Sequence, residues 1–488
     1  MPDDAPYFFK IAKNYSEGLG FTFDGINKTN GFQPLWQYIL IPIYFLYSGS
    51  PEVMFRLFLL LQVVFISSAC IFVNLFLREI FDGYARLLSF ISFIMVVYIQ
   101  SINGMESALL ILLLSYLIYY SWKSKIFIEN NPKKELIFGV LLGFVMLSRL
   151  DTVFLGFTIS LFGIIYMIFE KKGKKEHIVR LICIIGGATL IVMPYLIYNY
   201  LEFGKIMPIS GELKSTFPQI NFFLEVGNFF SKRYLLFALF AIMYFLIKVL
   251  FLKNILKSPI KYRFYSIFML VFSAAIILHF LHIVLFMKWA VFGWHFLPYA
   301  LFVSLAVSEI FTALISLKIF RRTLKLFWYG FFVLVIVSGI ILTNRNERNL
   351  NESWQVASYR AAMWTKNNTE ESEIFSMIDA GIFGFFSERR TINLDGLVNT
   401  LEYQEVLRNK KLNDYFENND VSYYVNFVFK DYQDAYDKGY KIYRRTFPSQ
   451  KYNIESDEIQ FLEENEVYRS TPTKYWSYEM VFLIWRLQ

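Results

Sequence analysis

The sequence predicts a polytopic α-helical membrane protein that carries a small α/β domain at its C-terminal end. Three observations lead there. Several apolar runs exceed the roughly 18 residues that suggest a bilayer span. Lys and Arg gather in short loops that alternate along the chain, as the positive-inside rule expects. Beyond residue 343 the composition turns abruptly charged and Asn-rich. The chain has 488 residues, 56% of them hydrophobic and 20% aromatic, and a mean hydropathy of +0.41. Most of its 54 Phe lie inside the apolar runs, where packing accounts for them, so nucleic-acid binding is rejected despite a formal charge of +8. Cys70 and Cys183 both fall in predicted spans, which excludes a disulfide framework.

Residues 1–33 form the only long polar, turn-rich segment ahead of the apolar region and are the candidate active-site loop. Asp3 and Asp4 would sit at the N-terminus of a short helix over 5–17, where the helix dipole favours ionised carboxylates. An ionised carboxylate is what a general base must be, although an Asp pair at such a place also serves as an ordinary cap. Gly18, Gly20, Gly25 and Gly31 among Asn and Thr then mark turns.

The bundle is predicted over 34–343. Residues 34–48 are too short for a comfortable span and read as a juxtamembrane helix. Spans follow at 53–77, 86–102, 105–122, 136–149, 152–169, 179–200, 234–252, 264–288, 294–318 and 325–343. The loops holding Arg78 and Arg86, Lys123 to Lys134, Lys171 to Arg180, Lys253 to Arg263, and Lys318 to Lys325 must be cytoplasmic together. Their complement, including the first loop and the tail, is then external. An even number of spans leaves the N-terminus outside with no helix to carry it there, so a first helix upstream of Met1 is expected, making about eleven spans. The chain starts polar, and no cleavable signal peptide is expected.

The tail, 344–488, is of ordinary domain size, and its strands alternate with helices, which suggests a small α/β layer. Helices are predicted at 354–367 and within 401–418, and strands at 374–378, 391–394, 421–427 and 480–486, with a Gly-containing turn and helix start at 379–386.

Collecting the external ends puts Asp3, Asp4, Asn103 to Ser107 with Glu106 among them, Arg149, Asp151, Lys205, Ser210, Glu212, Lys214, Trp294 and His295 at one depth. Ionisable groups there need a partner or a polar cavity. Arg149 and Asp151 could form a structural pair, and Glu106 could simply cap its helix. The loop with Lys205, Ser210 and Lys214 has two cations and hydroxyls suited to holding a phosphate. His279 and His282 lie three apart on one helix, with no carboxylate near them in sequence, and predict interhelical hydrogen bonding rather than metal ligation. No Walker loop, zinc spacing or nucleotide fingerprint occurs.

Asp3-Asp4 followed by Phe21-Thr22-Phe23-Asp24-Gly25-Ile26-Asn27 and Thr29-Asn30-Gly31-Phe32-Gln33-Pro34-Leu35-Trp36 resembles the first external loop of bacterial and archaeal GT-C glycosyltransferases. These are related in plan to protein O-mannosyltransferases and to the aminoarabinose transferase of lipid A. Gly104-Met105-Glu106-Ser107, Ser148-Arg149-Leu150-Asp151, Met207-Pro208-Ile209-Ser210-Gly211 with Lys214, Trp294 to Pro298, and Ile392-Asn393-Leu394-Asp395-Gly396-Leu397-Val398-Asn399 extend the resemblance. Lys28 stands where relatives usually have Pro.

The resemblance implies a GT-C-like bundle with an extracytoplasmic tail, a polyprenyl-phosphate sugar donor, an acceptor hydroxyl on a lipid, glycan or protein, and inversion at the anomeric carbon. Such chemistry needs a base for the acceptor, cations for the departing phosphate, and a dry cavity. The acidic pair falls on Asp3, with Asp4 as its alternate. Arg149, Lys205 and Lys214 become the phosphate-side cations, a divalent cation could share that role through Asp3 and Asp4, and the other matched segments, with Asn30, Trp36, Glu106, Asp151, Ser210, Trp294 and His295, line the same cavity. Two other classes use a similar cavity or none: a transporter or flippase of a lipid-linked sugar, and a noncatalytic protein that binds partners through its tail.

Overall fold

The computed structural model describes residues 2–81, 83–169, 173–220, 232–289, 291–316, 337, 353–429, 441–443, 459–461, 463–475 and 478–487. The predicted span 325–343, apart from residue 337, and the boundary at 344 lie outside them. Five described helices are long and apolar enough to cross a membrane: Pro51–Ile80, Leu150–Ile168, Lys174–Phe203, Ile260–Phe286 and Gly293–Ala313. With shorter apolar helices such as Ser107–Lys123 beside them, the chain is a multi-pass membrane protein.

The first helix, α1 (Asp4–Ser16), lies within one residue of its predicted place and is buried along most of its length, with Ala5, Phe8, Phe9, Ile11 and Ala12 in the core. Helix α2 (Pro34–Leu46) starts on a proline whose missing N–H costs nothing at that position. Helix α3 (Pro51–Ile80) buries Met54, Phe58, Gln62, Ile66, Ala69, Val73, Leu77 and Ile80, a stripe at intervals of three and four that faces the bundle. The predicted span over 86–102 is not one regular α-helix: Gly83–Phe93 passes through a π-helical stretch, Ile94–Tyr98, before the turn that carries Glu106.

The tail is a mixed sheet with helices. Strands β1 (Ile374–Met377), β2 (Arg390–Asn393) and β3 (Val421–Phe429) run parallel in the order β2-β1-β3. The short pair β4 (Lys441–Tyr443) and β5 (Ile459–Phe461) stands apart. Strands β6 (Glu466–Arg469) and β7 (Thr473–Tyr475) both pair antiparallel with β8 (Tyr478–Arg486), which joins the sheet beside β3. All four residues of β1 are buried, as befits the middle of a parallel sheet covered on both faces. β6 alternates between half-buried and exposed residues, with Glu466 and Arg469 paired, and such a polar edge strand has no apolar signature in sequence.

The tail and the bundle share one core. Phe9 of α1 packs on Phe58 of α3, ring centroids 4.6 Å apart, and on Phe385 of the tail helix Gly381–Phe386, 5.6 Å away. Trp36, fully buried, belongs to the same cluster. The tail therefore rests on the first loop and the N-terminal end of α3.

Candidate active site

Four chain segments converge where the tail meets the bundle. The turn before helix Ser107–Lys123 is held by Gln62, whose side-chain oxygen accepts from Gly104 N–H at 2.8 Å and whose amide donates to Met105 O. Gly104 has φ +86°, a left-handed conformation that suits glycine, and the turn sets Glu106 at the helix start. At the end of helix Pro132–Ser148 the backbone extends at Arg149, and Leu150 N–H donates to Gln33 Oε1 at 3.1 Å. The third segment, Ile209–Lys214, is tied to the first loop by Ile209 N–H donating to Asn30 Oδ1 at 2.9 Å. The fourth carries Trp294 and His295.

Arg149 is 3% exposed and held on two sides. Its Nε donates to Asp151 at 2.9 and 3.1 Å, and its Nη1 donates to Glu106 Oε1 at 3.0 Å and to Trp294 O at 3.1 Å. None of these bonds uses Nη2. Asp151 in turn lies 3.4 Å from His279 Nε2, while His279 Nδ1 is 3.0 Å from the Tyr299 hydroxyl. The interhelical hydrogen bond expected of His279 is present, together with a carboxylate that is distant in sequence.

A cavity partly open to solvent is lined by Asp4, Tyr7, Phe8, Gly31, Phe32, Gln33, Met105, Glu106, Arg149, Ser210, Lys214, Trp294, His295, Leu397 and Val398. It brings together seven of the residues singled out from sequence, Asp4, Glu106, Arg149, Ser210, Lys214, Trp294 and His295, and places the others elsewhere. Lys205 is 53% exposed at its side chain and faces Glu212 at 3.5 Å, away from the cavity. Trp36 is core behind it, Asn30 is a buried tie between loops, and Asp151 lines a smaller neighbouring pocket with His279 and Phe154.

The acidic pair is split. Asp3 turns into the tail, where its Oδ2 and Oδ1 accept the backbone N–H groups of Gly381 and Ile382, each at 2.8 Å. It makes no side-chain capping bond to its own helix; instead it satisfies the start of a helix nearly four hundred residues away. Burial, then the neighbouring Asp379 carboxylate, push Asp3 well above the ordinary carboxylate range. Tyr7, one turn along, accepts from Ala380 N–H at 2.8 Å and Asn393 Nδ2 at 2.9 Å. Asp4 points to the cavity. It is half-buried, and desolvation by the surrounding protein raises its pKa; Lys214 pulls it back and Asp395 pushes the same way as burial.

Sequence reasoning missed Tyr7 and Phe8 as wall residues, and no local signal marks them, whereas Met105 lies in the matched segment around Glu106. Leu397 and Val398 lie in the tail segment that carried the resemblance, and Gln33 in that of the first loop, yet only the docking of the tail shows that they face one space.

A divalent cation shared by Asp3 and Asp4 does not fit this arrangement. Both Asp3 oxygens accept amide protons, and Glu106 Oε1 is bound to Arg149. Among the described residues no three His, Cys, Asp or Glu side chains converge as a metal site, and no step below is routed through a metal.

A multi-pass helical bundle with an α/β tail seated over a cavity at the ends of its helices is the architecture that the resemblance implies. Comparison with solved structures gives the same fold. The apo oligosaccharyltransferase of Archaeoglobus fulgidus matches 91% of this chain and 69% of its own at 15% identity with a TM-score of 0.51. ArnT from Cupriavidus metallidurans, bound to undecaprenyl phosphate, matches 99% of this chain and 93% of its own at 9% identity with a TM-score of 0.50. These identities establish a shared fold and nothing finer. Residues 347–468 match a family described as a domain of unknown function (DUF8728). No curated protein matches the chain by sequence.

Proposed function

We propose that the protein is an inverting glycosyltransferase that moves a sugar from a polyprenyl-phosphate donor to an acceptor hydroxyl on the extracytoplasmic face of the membrane. The observation that carries this reading is the pairing, in one cavity, of a carboxylate with a raised pKa, Asp4, and two cations, Arg149 and Lys214. ArnT of the same fold is bound to undecaprenyl phosphate, which supports a lipid-phosphate leaving group here. The alternation of basic loops supports an external site.

In this reading Asp4 takes the proton of the acceptor hydroxyl as its oxygen attacks the anomeric carbon. The bond from that carbon to the phosphate oxygen breaks on the opposite side, and the polyprenyl phosphate leaves with the bonding pair. Arg149, fixed by Asp151 and Glu106, and Lys214 meet the charge that develops on it, a role for which preorganised donors in a water-poor site are worth most. Asp3 serves as the anchor that holds the tail wall in place.

The direct test is incubation of purified protein with a panel of radiolabelled polyprenyl-phosphate sugars and a membrane extract as acceptor. Transfer from one donor is expected. No transfer from any, with lipid-linked sugar moved across liposomes instead, would replace this reading with the transporter.

The pH dependence has a definite sign. A base works only when ionised, so kcat/KM falls as the pH drops through the pKa of Asp4, which burial places above the ordinary value of about 3.9. Lys214 lowers that pKa. In Lys214→Met the acid limb of the profile should therefore move to higher pH, in addition to a loss of donor affinity. An acid limb that stays put or moves down would remove Asp4 from the role of base.

A further inference from the structure

Glu106 is 1% exposed, and its two oxygens have different fates. Oε1 accepts from Arg149 Nη1 at 3.0 Å, whereas Oε2 is buried without a hydrogen-bond partner in the protein. A buried carboxylate oxygen left without a donor is destabilising, and each such group in a native protein calls for a reason, a bound water, an ion or a functional role among them. Glu106 lines the cavity, beside the guanidinium assigned to the phosphate. Gln33, on the same wall, uses its oxygen for Leu150 N–H, and its amide nitrogen makes no further bond among the described residues. Trp294 binds Arg149 through its carbonyl, and its ring, stacked on Phe292 at 4.7 Å, adds an apolar plate to the cavity.

The part of a glycosyl phosphate next to the phosphate is the sugar ring. We infer that Glu106 Oε2 accepts a hydrogen bond from a ring substituent of the donor sugar, so that Glu106 selects donors by a hydroxyl or ammonium at one ring position while the ring lies against Trp294. The inference rests on the transfer reading above and deepens it. Glu106 is then a specificity residue and not only the partner of Arg149. The two roles use different oxygens.

The rationale for selection is the asymmetry of buried polar sites. A pocket built to bond a hydroxyl rejects an analogue that lacks it by roughly 10⁴-fold to 10⁵-fold, because its own group is left unpaired. A site that merely encloses the sugar discriminates far less.

The experiment uses the full-length wild-type protein and a set of polyprenyl-phosphate sugars identical except for a single deoxy position, together with the corresponding amino sugars. Wild type should reject one deoxy isomer by at least about 10³-fold in kcat/KM and tolerate the others. The amino sugar at that same position tells whether hydroxyl or ammonium is preferred. In Glu106→Gln the selectivity ratio between the parent donor and that isomer should shrink by at least about tenfold, beyond any common loss of rate. Because this variant removes the charge facing a buried Arg149 and can lose its fold, Glu106→Asp, which keeps the charge but draws the carboxylate back, is read for the same shrinkage where Glu106→Gln is not recovered. Equal tolerance of all deoxy donors by wild type, or a uniform loss on every donor in Glu106→Gln, overturns the inference while leaving the glycosyltransferase reading intact. Absence of transfer from every parent donor overturns both.

Discussion

Asp4→Asn is expected to lower transfer by about 10²-fold to 10⁴-fold, the span that a positioned general base contributes, with donor binding and tail docking unchanged. Asn is isosteric and keeps the polar contact with the cavity but cannot take a proton. Asp3→Asn should behave differently. Asp3 meets two backbone N–H groups with two carboxylate oxygens, and Asn offers one acceptor and one NH₂ that opposes a donor. The expected cost is about 1–3 kcal/mol in tail docking, read as faster hydrogen exchange at the Gly381 and Ile382 amides, with the rate of the chemical step affected only through a looser cavity wall. Single-turnover transfer assays on both variants, run beside the exchange measurement, separate the two. An Asp3→Asn protein that is inactive while its tail remains docked would return the base to Asp3.

The distinction between these neighbours shows where sequence reasoning reaches its end. That residues 1–33 carry an acidic pair at a helix start is legible from charge and turn residues, and the helix forms at Asp4–Ser16. Successive residues on a helix point about 100° apart, so one of the two faces a given cavity and the other does not. The choice depends on where the tail sits, and Gly381 is 378 positions away from its hydrogen-bond partner Asp3. The same holds for Lys205 and Lys214. They look alike in a polar loop, but Lys214 ends the short helix Ile209–Lys214 at the cavity, and Lys205 lies outside it beside Glu212. The long apolar helices were legible because lipid demands long apolar runs, whereas β6 and β7 are short, polar and paired through β8, and nothing in their own residues announces them.

The second large effect is steric and belongs to the contact between first loop and tail. Gly31 lines the cavity and does not have a positive φ, so its backbone would accept alanine. A Cβ built there, however, would lie 1.8 Å from the carbonyl oxygen of Leu397 and 2.9 Å from its carbon, and a backbone carbonyl cannot rotate aside as a side-chain tip can. Leu397 is itself wall, and its N–H donates to Asp395 Oδ1 at 2.9 Å, within the group that holds Tyr7 and the tail. Gly31→Ala must therefore push the Leu397 and Val398 wall outward. A displacement of about 1 Å in a site that works by orientation costs about 10²-fold in rate, and a loss of that order is expected with the membrane bundle still folded. Gly186→Ala provides the control: it lies on the helix Lys174–Phe203, meets nothing within 4 Å and should retain full transfer. Equal activity in Gly31→Ala and Gly186→Ala would mean that the tail is not part of the catalytic wall. Loss in Gly31→Ala, with protease resistance of the bundle preserved, would show that the tail completes the cavity rather than merely resting on it.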